Sequence, residues 1–196
     1  MNSYERNKFH KDNAHFLDKA YKNKASYTYI RGDTLYIAGT DNLTDVYDDI
    51  TRVLPDHITS SLVESSRYKM VKPILNTNPQ IKKLVAHSLA GNVSLRLQKE
   101  MPERDFDVTT YGAPVVGYWS GRNTRYKHPG DPVSILDMGA KNVPLLTTDP
   151  FALHSYKGYT YNFDTHDIEP VSQAEQSIKI PYNVNRTSLN HQYRIA

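Results

Sequence analysis

Apolar positions along this chain recur in two rhythms, one helical and one extended. Between Ser3 and about Lys22, Phe9, Ala14, Phe16, Leu17, Ala20 and Tyr21 gather mostly on one side at helical spacing, which predicts an amphipathic helix. Tyr27-Thr28-Tyr29-Ile30 and Thr34-Leu35-Tyr36-Ile37-Ala38 are β-rich runs joined by Arg31-Gly32-Asp33, the pattern of a hairpin. Gly39-Thr40 breaks the rhythm. Leu43, Val46, Tyr47 and Ile50 then recur at i, i+3, i+4 and i+7, a short helix that Pro55 ends. A further helix is expected from about Thr59 to Leu75, with the apolar pairs Leu62/Val63, Met70/Val71 and Ile74/Leu75; Asn76-Thr77-Asn78-Pro79 stops it.

From there the two rhythms alternate. Ile81 to Ala86 reads as a strand, Leu89 to about Met101 as a helix, and Asp107 to Tyr111 and Asn123 to Lys127 as strands. A helix-like interval and a final strand near Tyr159–Phe163 close the series. Strands separated by helices imply parallel crossovers. The expected class is α/β: a mostly parallel central sheet with an N-terminal antiparallel hairpin and helices on both faces. Residues 1–180 are read as one domain and the polar, unpatterned 181–196 as a tail.

Composition narrows the function classes. The length of 196 residues and mass of 22.4 kDa suit a single domain with a real core. The 24 Lys and Arg against 21 Asp and Glu leave a net charge of +3, and the charges are scattered. That argues against nucleic acid as the main partner and allows only transient attraction to an anionic membrane surface. Cysteine is absent, which excludes disulfides, thiolate metal sites and a thiol nucleophile. No apolar run approaches the ~18 residues of a membrane span, and the polar start Met1-Asn2-Ser3-Tyr4-Glu5-Arg6 is no signal peptide, so a cytoplasmic location is the default expectation. The 15 Tyr against 5 Phe and 1 Trp are unusual.

The segment richest in chemistry is Leu84-Val85-Ala86-His87-Ser88-Leu89-Ala90-Gly91. A strand ends, a serine between small residues follows, and a helix begins at once. On such a turn strand and helix approach closely, and the serine is forced outward at the carboxyl edge of the sheet. The helix N-terminus also favours negative charge near Ser88. The competing reading is an ordinary N-cap serine. A serine nucleophile needs a base oriented by an acid, which on this kind of elbow follow in the order Ser, Asp or Glu, His. Asp131 lies directly after the strand at Asn123–Lys127 and is preferred over Asp137 and Asp149. His154 comes next, ahead of His166 and His191; His87 is expected to point away from the turn. For the oxyanion, the N–H of Leu89 and the loop Ala38-Gly39-Thr40-Asp41 occupy the expected places, although Gly39-Thr40 also reads as a plain strand-ending turn.

Four segments together resemble the class 3, fungal-type lipase family of the α/β-hydrolases. Ile37-Ala38-Gly39-Thr40-Asp41 through Asp49 is similar to the family's "RGT…W..D" segment, and Ala86-His87-Ser88-Leu89-Ala90-Gly91 to its "GHSLGG" elbow. Thr109-Thr110-Tyr111-Gly112-Ala113-Pro114 through Gly117 is similar to "TFGxPRVG", and His128-Pro129-Gly130-Asp131-Pro132-Val133 to the acid loop. The resemblance spans residues 37 to 133 and implies an α/β-hydrolase-like fold and carboxylic ester hydrolysis without metal or cofactor. By carry-over Ser88 is the nucleophile, Asp131 the acid and His154 (matched by order only) the base. Thr40 and Leu89 become the oxyanion donors, and Asp49 supports the Thr40 hydroxyl. The chain departs from the pattern at Ala86 and Ala90, which replace both elbow glycines, and at Ala38 and Val115, which replace arginines. It is also short, as are relatives in viral genomes, so a virion or host-entry setting accompanies the resemblance.

Two readings of function follow. The first is a serine esterase or lipase, including phospholipase, whose partner is an acyl-ester or lipid substrate. The second is a catalytically silent lipid- or protein-binding module, or a particle protein using its tyrosines for contact. In the first reading, only Val53-Leu54-Pro55-Asp56-His57-Ile58 remains to cover the site, too short to close a broad acyl groove, so soluble short-chain esters should be cleaved without a lipid interface.

Overall fold

The computed structural model describes residues 3–39, 66–115, 119–135, 137–143, 145 and 147–160. The helix expected at 43–50, the start of the one expected at 59–75, the cover at 53–58 and the tail at 181–196 lie outside these residues. Helix α1 is Ser3–Lys22, followed by the hairpin β1 (Thr28–Arg31) and β2 (Thr34–Ile37). Helix α2 is Ser66–Thr77, the end of the helix expected there. Strand β3 (Lys83–His87) runs straight into helix α3 (Leu89–Glu100). Then come β4 (Asp107–Tyr111), β5 (Asn123–Lys127), a two-residue β6 (Lys141–Asn142) and the short helix α4 (Pro150–His154).

The six strands form one sheet in the order β1-β2-β3-β4-β5-β6. Only β1 and β2 are antiparallel; β2 through β6 pair in parallel. Alternation along the strands splits the core in two. Leu35, Ile37, Leu84, Ala86 and Val108 face one way and pack with Val71 and Leu75 of α2 and Val93 and Leu97 of α3. Tyr36, Val85 and Tyr111 face the other way and pack with Leu17 and Ala20 of α1. Helices therefore cover both faces, and the expected α/β class is the observed one.

The second core explains the tyrosines. Tyr36, Tyr111 and Tyr159 are buried in it, and Tyr21, Tyr27, Tyr29, Tyr126 and Tyr156 pack against it. Helix α1 also turns His10 and Asn13 inward, where both bond the buried Tyr111 hydroxyl, at 2.8 and 3.0 Å. One phenol thus partners His10 Nδ1 and Asn13 Nδ2 on a helical face that looks interrupted by polar residues.

One expected element is corrected. The chain at Tyr156–Thr160 is a 3₁₀ turn, not the start of a final strand; 161–163 lie outside the described residues. Tyr159 is held by its ring rather than by a ladder: it stacks on His128 with centroids 4.0 Å apart, and its hydroxyl bonds the Tyr126 carbonyl. The sheet is instead extended by β6, whose two exposed polar residues give no extended apolar pattern to read.

Candidate active site

The junction of β3 and α3 sets the position of Ser88. Its backbone sits at φ 58° and ψ −138°, a conformation that side-chain-bearing residues rarely adopt. The turn is held by the Ser88 N–H donating to the Tyr111 carbonyl and the Gly91 N–H donating to the Ser88 carbonyl, at 2.9 and 2.8 Å. Ser88 occupies the N-cap position, but its side chain makes no capping bond. The hydroxyl lies 2.8 Å from Nε2 of His154 instead.

Ala86 and Ala90, in the small positions of the elbow, are fully buried. Two glycines beside the elbow are also crowded. A Cβ on Gly39 would lie 2.7 Å from Ser88 Cβ and 2.8 Å from the His87 carbonyl oxygen, and one on Gly91 would overlap the Ala113 methyl. Glycine is therefore required beside the elbow and three residues after the serine.

Asp131 follows β5 as expected. Both carboxylate oxygens face His154 Nδ1, at 3.0 and 3.1 Å. Oδ1 accepts the Val133 N–H at 2.9 Å and Oδ2 accepts the Ser134 hydroxyl at 2.5 Å. Burial pushes this carboxyl up, but the His154 imidazole, with Ser134 and Val133, outweighs it and holds the group below the usual carboxylate value. An ionised Asp131 fixes the tautomer: Nδ1 of His154 carries the proton and Nε2 accepts from Ser88. Gly112, at φ +58°, makes room for the pair; a Cβ there would lie 3.1 Å from Asp131 Oδ2 and 3.2 Å from His154 Nδ1. Ser88, Asp131 and His154 are all buried. The line O–H to N, N–H to O⁻ can transfer the serine proton to the imidazole while the carboxylate stabilises the resulting cation.

The rival acids have other work. Asp137 pairs with Arg125 Nε at 3.0 Å in a nearly buried ion pair. Asp149 caps α4, accepting the Phe151 N–H at 3.0 Å, and so steadies the helix that ends in His154. His87 turns away from the serine, as expected, and grips the backbone of His154, a contact with no signal in the sequence: its Nε2 lies 2.7 Å from the His154 carbonyl oxygen. Ser134 carries no sequence signal either; a hydroxyl three residues after an aspartate is too common a pattern to single out. Leu89 is the first residue of α3, where N–H groups have no intrahelical acceptor. Thr40, Asp49, His166 and His191 lie outside the described residues.

No protein-family model matches the chain, and no curated protein does. Solved structures similar to it include the Lip2 lipase of Yarrowia lipolytica, at 20% identity and a TM-score of 0.37 over 53% of this chain and 51% of that one. The lipase of Rhizopus microsporus var. chinensis gives 20% identity and a TM-score of 0.37 over 53% of this chain and 47% of that one. The chain thus spans about half the length of each. At this distance the fold rests on the sheet topology itself.

Proposed function

We propose that this chain is a serine carboxylic-ester hydrolase of lipase or esterase type. The observation that carries the reading is the hydrogen-bonded line Ser88–His154–Asp131, made by a serine on a left-handed strand-to-helix turn. Ser88 Oγ attacks the ester carbonyl as Nε2 of His154 takes its proton, and the C=O electron pair becomes the oxyanion. When the tetrahedral carbon collapses, the same proton passes to the departing alcohol and an acyl-serine remains. Water, deprotonated by Nε2, then releases the acid and returns the proton to Ser88. Asp131 stays ionised throughout and holds the imidazole. The Leu89 N–H serves the oxyanion; Thr40 as second donor and Asp49 as its support extend this reading through the family resemblance. The reaction needs no metal or cofactor.

Ile135 and Met138 in the segment after Asp131, and Phe151 on the short helix that ends in His154, are large exposed apolar residues, which supports an acyl substrate. The tyrosines weigh against a particle-contact protein, since eight of them pack inward on the α1 face. The test is labelling by a fluorophosphonate probe. Ser88 should be modified, with labelling lost in Ser88→Ala and reduced by orders of magnitude in His154→Ala; undiminished labelling of Ser88→Ala would sink the assignment.

A further inference from the structure

Behind the candidate site lies a second run of hydrogen bonds that the reaction itself does not use. The Gly39 N–H donates to the Tyr21 hydroxyl oxygen at 3.1 Å. That hydroxyl lies 2.5 Å from His87 Nδ1, and His87 Nε2 lies 2.7 Å from the His154 carbonyl oxygen. The direction of each bond follows from chemistry. A carbonyl only accepts, so Nε2 of His87 carries a proton. Burial, ahead of the nearby His154, holds His87 down to about 3, so at neutral pH its Nδ1 is bare and accepts from the Tyr21 O–H. The Tyr21 oxygen is then left to accept from Gly39. From the other side, Arg67 Nη2 donates to the Gly39 carbonyl at 2.7 Å, its guanidinium lying over the Tyr27 ring.

We propose that Tyr21 and His87 are positioning residues: their directed hydrogen bonds lock the end of β2 and the backbone of His154 together on either side of Ser88. The inference rests on the hydrolase reading. Gly39 is packed against the Ser88 Cβ and the His87 carbonyl, so a shift of the β2 end is felt at the serine. His154 sits at the last residue of a five-residue helix, too short to hold an imbedded imidazole by its own ladder, and its carbonyl is fixed from outside. An imidazole suits the task because it presents a donor on one edge and an acceptor on the other. It cannot be the base, since both of its nitrogens are already engaged away from Ser88.

The experiment compares wild type, Tyr21→Phe, His87→Gln and His87→Leu on a soluble short-chain nitrophenyl ester. Removing the Tyr21 hydroxyl should lower kcat about 10- to 100-fold with KM within about twofold, the mark of misplaced groups rather than lost substrate binding. His87→Gln keeps a donor for the His154 carbonyl and should retain more kcat than His87→Leu. A folded Tyr21→Phe with kcat within about twofold of wild type would overturn the proposal, as would equal rates for the two His87 variants; the latter comparison decides if Tyr21→Phe does not fold. A wild-type chain with neither turnover nor probe labelling overturns the hydrolase reading instead. Imidazole ¹⁵N spectra then decide this one: it stands if His87 is the neutral Nε2–H tautomer and Tyr21→Phe or His87→Leu moves the His154 signals, and falls if those signals stay in place.

Discussion

Ser88 holds a backbone conformation that costs a residue with a Cβ on the order of 1–3 kcal/mol, and it is kept there by bonds to Tyr111 and Gly91. The gain is orientation: a relaxed N-cap serine would spend its hydroxyl on the helix, whereas this one meets an imidazole. At this scale the two nearby aspartates should separate cleanly. Asp131→Asn leaves a side-chain amide where Nδ1–H needs an acceptor and favours the wrong imidazole tautomer, so kcat should drop by about 10⁴. Asp137→Asn leaves Arg125 charged, buried and poorly paired, and breaking such a pair costs up to roughly 3–5 kcal/mol, so it should lower stability while the folded fraction keeps its turnover. Ester turnover and urea unfolding on both variants check this; an Asp137→Asn variant with the larger loss of kcat would reassign the acid.

Among the elements, the contact between α3 and β4 is governed by Gly91. In an open helix Gly→Ala would gain about 1 kcal/mol from propensity. Here the added methyl meets the Ala113 methyl and comes within 3.2 Å of Thr110 Cβ, both against the sheet, and overpacking of this kind costs typically 1–3 kcal/mol. Packing should win, with Gly91→Ala lowering the urea midpoint and also reducing turnover, because the same turn carries Ser88. A variant as stable as wild type would mean that α3 can move away from the sheet freely.

On the scale of the whole molecule, three buried histidines are kept neutral by the fold. Burial holds His10 at about 4 and His87 at about 3, and it lowers His128 as well, partly offset by its bond to the Val143 carbonyl. In the unfolded chain each takes up a proton near pH 6.5. Below that value the unfolded state binds more protons than the native one, so stability is complete above about pH 6.5 and is lost as pH falls toward the native values. Each histidine within its window contributes a slope of about 1.4 kcal/mol per pH unit. Urea midpoints measured between pH 7 and pH 4.5 should therefore fall steeply and continuously. A flat profile over that interval would show that these imidazoles are charged in the native state.

Much of this molecule was legible in its sequence because the information was local. The residues of α1, the hairpin, the β3–α3 elbow, β4 and β5 carry their own periodicity and turn chemistry, and the order Ser88, Asp131, His154 is linear information. The tertiary structure decided what depends on residues far apart in the chain. It set Asp131 against His154 and gave Asp137 the Arg125 guanidinium as its partner, and it turned the tyrosine-bearing segment after His154 into a ring-stacked 3₁₀ turn. It also joined Tyr21, 66 residues before His87, to the backbone of His154, 67 residues after it. Periodicity reports which side of an element is buried; a hydrogen-bond partner is fixed only when the sheet brings separate elements to one edge.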